Sequence, residues 1–164
     1  MKQDELFALF SSYPRFADGR IDFTESPLAA AVHVLLRVDD QVLLVQRSTA
    51  VQSFPLFWSG VTGYLDEPVS LQEKASEELE EELGLTGITI QFLEHPLIVS
   101  SSRQKIISFL GSAVLSSKPV IVLNEENVSY AWVDFTSISS YQTIPFFDEV
   151  VRRLFPDVIK KKLL

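Results

Sequence analysis

The chain has 164 residues, a formal net charge of −8 at neutral pH and no cysteine. This length is enough for one domain with a full hydrophobic core. The hydrophobic fraction of 46% and the charged fraction of 22% are typical of a globular protein, which argues against extensive disorder. The absence of cysteine excludes a disulfide framework, a thiolate metal site and a cysteine nucleophile.

The charge and hydropathy patterns also restrict the partners. A strongly negative chain is a poor partner for a nucleic-acid duplex, because phosphate backbones require basic patches. A small phosphorylated substrate is still compatible with this charge if a metal ion supplies positive charge locally. No apolar run approaches the length of a membrane span, and the acidic start of the chain is unlike a signal peptide. We therefore expect a cytoplasmic protein without a membrane partner.

The predicted elements alternate strands with a few helices. In chain order they are a short helix over 3–11, a strand hairpin over 28–38 and 41–47, a loop over 48–57, a short strand over 58–63, a helix over 71–83, strand-like runs over 87–99, 105–116 and 128–134, and a late helix with Phe146, Val150, Val151 and Leu154 on one side. One helix among several strands, with further helices late in the chain, predicts an α/β fold with a mixed sheet.

No linker or repeat interrupts the chain, so we predict a single domain over residues 1–164. Its parts are an N-terminal helix and loop extension over 1–27, a core over 28–136 and C-terminal helices over 137–164. The helix over 71–83 has the clearest boundaries. Ser70 followed by Glu73 is a capping-box pattern at its start, and Gly84 fits the position that ends a helix.

Several glutamates of this helix occupy positions where a negative charge is energetically unfavourable. On a helical wheel, a core-facing stripe is formed by Leu71, Ala75, Leu79 and Leu83. Glu82 falls inside that stripe and Glu78 at its edge, although burial of an unpaired carboxylate is costly and like charges four residues apart repel. Glu81 and Glu82 also lie in the last turn, where the helix dipole disfavours negative charge. A divalent cation removes these costs; the alternative is a solvated charged face.

The segment over residues 63–85 resembles the Nudix box, G-x5-E-x7-R-E-U-x-E-E-x-G-U, in which U is a bulky aliphatic residue. Seven of the nine defined positions match in register: Gly63, Glu78, Leu79, Glu81, Glu82, Gly84 and Leu85. The flanking segments VLLVQRS and SYAWVDF are similar to the strands around the box in that family, so the resemblance covers roughly residues 30–136. It implies a Nudix-like α/β/α sandwich with the acidic box helix packed on a mixed central sheet.

Two box positions depart from the pattern. Val69 stands where the box has its first glutamate, and Glu77 stands where it has arginine. In the family these two residues are regarded as an ion pair that orients the helix. Their joint absence leaves no orphaned charge but lowers the expected catalytic efficiency. Lys74 could compensate in part as an i,i+4 partner of Glu78.

Carried over position by position, the resemblance implies roles for the box residues. Glu78, Glu81 and Glu82 are implied as the ligands of Mg²⁺ or Mn²⁺, and Glu81 also as a catalytic residue. Gly63 and Gly84 are the box glycines. Such oxygen ligands suit a hard divalent cation that also contacts substrate phosphate.

Many family members use one more glutamate, from a loop ahead of a tryptophan-containing strand. Glu125 and Glu126 are the nearby candidates, and we prefer Glu126 as the catalytic base. The alternative is that both are ordinary residues of a polar loop.

Three further residues are predicted to contact the substrate. Arg47 and Arg103 would hold the far phosphate, and Trp58 would stack on a base or sugar. The alternatives are that the arginines are surface charges and that Trp58 belongs to the core.

The resemblance implies a metal-dependent pyrophosphohydrolase, whose substrate is a nucleoside-diphosphate derivative or a related small organic diphosphate. One alternative is a ligand-binding protein on the same fold with weak or lost catalysis, which the two box departures favour. The isopentenyl-diphosphate isomerase branch of the fold relies on a cysteine, and this chain has none. The box does not specify the substrate, and the oligomeric state is open, although many relatives are homodimers.

Overall fold

The computed structural model describes residues 3–101 and 103–158. The strands are β1 (Leu28–Val38), β2 (Gln41–Arg47), β3 (Trp58–Ser59), β4 (Val61–Tyr64), β5 (Gln91–Phe92), β6 (Leu97–Ser100), β7 (Lys105–Val114) and β8 (Asn127–Asp134). The helices are α1 (Gln3–Phe10), α2 (Leu71–Leu83) and α3 (Phe147–Leu154), with a 3-10 helix at Phe135–Ser140. Among these residues, each helix is too short or too polar to span a lipid bilayer.

The central strand of the sheet is β1. It runs parallel to β7 along most of its length and antiparallel to both β2 and β4 on its other side. The sheet continues from β2 to β3 and β8, and from β7 to β5 and β6. One parallel pair within an antiparallel set makes the sheet mixed, which confirms the predicted fold class.

Side chains of β1 and β2 alternate between two apolar clusters on opposite sides of the sheet, as the two-residue period of a strand requires. On one side, which we call the α3 face, the buried cluster includes Leu35, Val42, Leu44, Phe147, Val150 and Val151. On the other side, the α2 face, it includes Val34, Leu36, Leu43, Ala75, Leu79 and Leu83. The sheet therefore lies between two helical layers, and the predicted α/β/α sandwich is confirmed.

Helix α1 belongs to a third apolar cluster. Leu6 and Phe10 are completely buried there together with Leu65, which follows β4. The loop after α1 is hydrogen-bonded to the segment that follows β4, because the Ile21 N–H donates to the carbonyl oxygen of Asp66 at 2.9 Å. The N-terminal segment thus packs on the connection between β4 and α2.

Two strand predictions need correction. The run over 87–99 forms only the short strands β5 and β6. Gly87 has a φ of 73°, which is incompatible with a strand, and Pro96 separates the two strands because it cannot donate to a ladder. The single strand predicted over 58–63 is two strands, β3 and β4, on either side of Gly60.

The late helix is also shifted by one residue. Phe146 precedes α3 with a φ of 66° and is exposed, so the predicted place of Phe146 on the buried side of the helix is wrong. Phe147 occupies that place, with Val150 and Val151 beside it. The end of the predicted C-terminal helices, residues 159–164, lies outside the described residues.

Candidate active site

Local interactions set the boundaries of α2. The Glu73 N–H donates to Ser70 Oγ at 3.1 Å, and the Ser70 N–H donates to Glu73 Oε2 at 2.8 Å, which is the predicted capping box. At the other end Gly84 has a φ of 67°, and its N–H donates to the carbonyl oxygen of Glu80 at 2.9 Å. These caps determine which residues of the helix face the sheet.

Two glutamates of α2 are buried on the α2 face. Glu78 is 8% exposed and Glu82 is 4% exposed, whereas Glu81 is exposed. The helical wheel predicted this order of burial from residue spacing alone. A carboxylate at such a position requires compensation from hydrogen bonds or opposite charge.

Strand β4 passes close to the first of these carboxylates at Gly63. A Cβ at this position would lie 1.9 Å from Glu78 Oε1, so any side chain here would displace the carboxylate. Gly63 is paired with Val32 of the central strand β1. This box glycine therefore provides space for Glu78.

The buried residue Asn127, the first of β8, contacts Glu82. Its Nδ2 donates to Glu82 Oε2 at 2.6 Å, and the backbone of Thr62 acts to lower the pKa of this carboxyl group. Burial nevertheless raises the pKa of Glu82 to about 8, and the charges of Glu78 and Glu126 contribute to the rise. Sequence reasoning missed Asn127. Its only signal was a polar residue at the start of an apolar strand.

Glu78 has a different partner, the buried side chain of Lys74. Lys74 Nζ lies 2.9 Å from Glu78 Oε1, so the predicted i,i+4 ion pair is present. Burial raises the pKa of Glu78 to about 7, although the charge and hydrogen bond of Lys74 act in the opposite direction. Burial also acts to lower the pKa of Lys74, but its hydrogen bond to Glu77 and the charge of Glu78 outweigh it, so the pKa is raised and the amine stays protonated.

Arg47, at the end of β2, belongs to the same electrostatic environment. Its Nε donates to the carbonyl oxygen of Ser53 at 2.8 Å. Burial lowers the pKa of Arg47, and the charges of Glu82 and Glu126 act in the opposite direction. The backbone of Glu126 accepts a hydrogen bond from the Ser48 N–H at 2.7 Å, which joins the loop before β8 to the end of β2.

The structure brings Glu126, Arg47 and the buried helix glutamates together, but it does not bring the other two predicted substrate contacts to them. Trp58 packs against the α3-face cluster, with its ring 5.0 Å from that of Tyr141, so it lies on the opposite side of the sheet. Arg103 is exposed in the loop between β6 and β7. It lines a groove together with Leu28 and Lys105, where β1 and β7 begin.

The buried carboxyl groups of α2 form a donor set that a divalent cation could use. Within residues 3–101 and 103–158, no three Asp, Glu or His side chains stand close enough to enclose a metal ion by themselves. Glu78 and Glu82 nevertheless provide two buried carboxyl groups, and burial raises their pKa values to about 7 and about 8 because the surrounding protein compensates their ionised forms only in part. Mg²⁺ usually binds through one or two carboxylates together with water and substrate phosphate oxygens. The residues fit a site of that kind.

A family model described as the NUDIX domain matches residues 26–155. No match was found among curated proteins. The MutT protein from Methanosarcina mazei Go1 has a TM-score of 0.67 at 22% identity, over 84% of this chain and 97% of that chain. The NUDIX domain of Shewanella oneidensis NrtR, crystallised with ADP ribose, has a TM-score of 0.67 at 17% identity, over 100% of both chains.

A C. elegans Ap4A hydrolase, solved as a binary complex, is similar over 80% of this chain and 98% of its own, with a TM-score of 0.61 at 15% identity. At these identities the similarity of the solved structures establishes the fold. The family model covers most of the chain, including the whole box, the loop with Glu126 and helix α3. The chain therefore belongs to the Nudix domain family.

Proposed function

We propose that this chain is a pyrophosphohydrolase that requires Mg²⁺ or Mn²⁺. Its substrate is a nucleoside-diphosphate derivative or a related small organic diphosphate. The observation that carries the proposal is the pair of buried glutamates one helical turn apart, Glu78 and Glu82, on the face that packs against the sheet. Lys74 and Asn127 compensate only part of their charge, because both pKa values remain raised. A divalent cation would complete that compensation.

The chemistry follows from these positions. A cation held by Glu78 and Glu82 would supply positive charge to phosphate oxygens and acidify a water molecule. The exposed side chain of Glu81 would have to turn towards the cation to act as the third ligand. Glu126 takes the proton of the water. The water oxygen forms a bond to phosphorus, the bridging P–O bond breaks, and the two phosphate-containing products leave. Arg47 offsets negative charge on the substrate phosphate.

Two similar structures support the substrate class. One is of a domain crystallised with ADP ribose and the other is of an Ap4A hydrolase. Both ligands named there are organic compounds with phosphoric anhydride bonds. We extend that class to this chain because the box residues Glu78, Glu81 and Glu82 are present in register.

The first experiment is a hydrolysis screen with ADP-ribose, NADH, dinucleoside polyphosphates and (d)NTPs, each with Mg²⁺ and with Mn²⁺. Glu82→Gln should lower turnover of the best substrate at least 10–100-fold while the chain stays folded, because one ligand charge is lost. Glu80→Gln is the matched control, since Glu80 is an exposed glutamate of the same helix. Near-wild-type turnover of Glu82→Gln at saturating metal would contradict the proposed site.

A ligand-binding protein with weak or lost catalysis is the second candidate function. Val69 and Glu77, which replace the box pair, favour it. Calorimetric titration with ADP-ribose separates the two candidates, because this alternative expects binding without metal-dependent product release for any compound of the screen.

A further inference from the structure

We infer that Lys74 is a positioning residue for Glu78. Together with Asp66 it forms the ion pair that this chain uses in place of the box pair at positions 69 and 77. The inference rests on the proposed function, because it assigns Lys74 a role in holding a metal-binding carboxylate.

The first support is the environment of the Lys74 amine. Lys74 is only 5% exposed, and lysine is rarely buried to this extent unless it is paired. Its Nζ lies 2.8 Å from Glu77 Oε2, 2.9 Å from Glu78 Oε1 and 3.7 Å from Asp66 Oδ1. A buried amine held by three carboxylates has little freedom to move. It therefore also restricts the two partners that are buried, Asp66 and Glu78.

The second support is how Asp66 is held. Arg20 Nη1 lies 3.5 Å from Asp66 Oδ2, and the Ile21 N–H donates to the Asp66 carbonyl oxygen at 2.9 Å. Asp66 Oδ1 is buried and has no hydrogen-bond donor among the described residues, so the amine of Lys74 is the charge that this oxygen faces. The residues that hold Asp66 belong to the segment that precedes the match to the Nudix domain at residue 26.

The third support is the sequence spacing of Asp66 and Lys74 relative to the box positions 69 and 77. Val69 packs against the apolar cluster that contains α1, so position 69 has an apolar role in this chain. Asp66 precedes position 69 by three residues, and Lys74 precedes position 77 by three residues. Three residues are close to one turn of a helix, which keeps Lys74 on nearly the same side of α2 as position 77. Relative to the box pair, the acidic residue and the basic residue are therefore both displaced by three positions towards the N-terminus.

These contacts restrict Glu78 from two sides. The strand at Gly63 leaves room for the carboxylate and nothing larger beside it, and Lys74 holds Oε1. The contact of Lys74 with Glu77 differs in one respect, because the Glu77 side chain is 41% exposed and water can compensate its carboxylate when the contact is lost. Lys74 therefore acts on the site through Glu78.

The test compares three variants by Mn²⁺ titration, followed by electron paramagnetic resonance, and by steady-state hydrolysis. Lys74→Met should weaken Mn²⁺ binding and lower kcat, each by about 10–100-fold, as for other residues that orient a metal ligand, with a smaller change in KM. Lys74→Arg should restore most of both properties, because it keeps the positive charge. Glu77→Gln, which removes the exposed partner of the same amine, should leave both properties near those of the wild type.

The direction of the change in Mn²⁺ affinity is decisive. If Lys74 only neutralised charge near the site, its removal would strengthen cation binding, and tighter Mn²⁺ binding by Lys74→Met would overturn the inference. Unchanged binding and kcat would overturn it too. A wild-type chain that neither binds Mn²⁺ nor hydrolyses any substrate would refute the proposed function itself, which is a different result.

Loss of folding is addressed by two further measurements. Asp66→Asn combined with Lys74→Met removes both charges of the Asp66–Lys74 pair, so neither partner is left buried without the other. This double variant should fold and should still show the weakened Mn²⁺ binding. A double-mutant cycle of Lys74→Met with Glu78→Gln, measured by urea unfolding without metal, should give stronger coupling than the cycle with Glu77→Gln. Equal coupling in the two cycles would contradict the assignment of Glu78 as the residue that Lys74 positions.

Discussion

The two faces of the sheet are covered by helices of opposite character. On the α3 face, the helix contributes Phe147, Val150 and Val151 to the core. Its charges stay at the surface, where Glu149 pairs with both arginines of the last turn, at 2.5 Å and 2.8 Å. This helix follows the usual rule that apolar residues are buried and charges are solvated.

The α2 face keeps the apolar stripe but adds buried charge. Lys74, Glu78 and Glu82 are all buried there, in the same helix whose alanine and leucines pack on the sheet. Buried carboxyl groups with raised pKa values, such as Glu78 and Glu82, reduce stability when they are ionised, and such groups concentrate at functional sites. The comparison indicates that the α3 face contributes stability through apolar packing alone, whereas the buried charges of the α2 face reduce the stability gained there.

The largest expected effect concerns chemistry on the α2 face. Glu126→Gln should lower kcat by about 10²–10⁴-fold with a smaller change in substrate binding, as expected for loss of a general base. The charge of Glu126 acts on both Glu78 and Glu82, whereas that of Glu125 is not among the causes of their raised pKa values. Steady-state kinetics of Glu125→Gln, which changes the neighbouring residue of the same loop, provides the control.

The kinetics of the two loop variants have three informative outcomes. A strong defect only in Glu125→Gln would mean that the assignment of the base is wrong by one residue. If neither variant is impaired, the water must be activated from α2, with Glu81 or Glu78 as the base. That result would leave the hydrolase proposal intact and remove the loop from the mechanism.

A core substitution on the α3 face should change stability without changing chemistry. Phe147→Ala should lower the free energy of unfolding by about 3–5 kcal/mol, because a large buried side chain is removed. The kcat of the folded fraction should stay the same, since Phe147 lies across the sheet from the glutamates. Phe146→Ala is the matched control, because Phe146 is exposed and should contribute little. Urea unfolding and active-site titration would measure the two quantities, and a large loss of kcat in folded Phe147→Ala would break the comparison.

Divalent metal should stabilise the chain through the α2 face. At a concentration 100 times its Kd, Mg²⁺ or Mn²⁺ should raise the free energy of unfolding by about 2.7 kcal/mol, because it binds the folded state alone. Thermal unfolding with EDTA and with excess metal measures the effect, and Glu82→Gln should reduce it. Superimposable curves for the wild-type chain would favour a solvated charged helix without a metal site.

The pH dependence of the metal-free protein also depends on the α2 face. The pKa values of Glu78 and Glu82 rise from 4.5 to about 7 and about 8. The folded state therefore binds these protons more tightly than the unfolded state, and the resulting stabilisation is fully present below pH 4.5. It is lost as the pH rises through the folded-state values, so stability should fall between about pH 5 and 8.

Urea unfolding at several pH values, with EDTA present, would measure this fall. Glu82→Gln should reduce this fall, because the amide that replaces the carboxyl group does not titrate in this pH range. Identical pH profiles for the wild-type chain and Glu82→Gln would show that this carboxylate does not titrate as its burial requires.

Features that depend on near neighbours in the chain were predictable. The capping residues determine where α2 begins and ends, and the helical period then determines that Glu82 faces the sheet. The hairpin of β1 and β2 was predictable for a similar reason, because two apolar runs flank a short polar turn. Both inferences need only hydrogen bonds and side-chain directions within a few residues.

Other features depended on which distant segments meet. Asn127 contacts Glu82 across 45 positions of the chain, and nothing near Asn127 indicates that partner. Sequence spacing identified Lys74 as a partner for Glu78, but its burial beside Asp66 depends on how the connection after β4 packs. Trp58 lies on the α3 face because of the register of β3 with β2.

The amino-acid sequence by itself therefore determined the box helix, its phase and the family, because these depend on local spacing. The tertiary structure decided the partners of the buried charges and the face on which each remote side chain lies. The physical reason is that compensation of a buried carboxylate is a short-range interaction in space. Its partners can come from any part of the chain, as Asn127 of β8 does for Glu82.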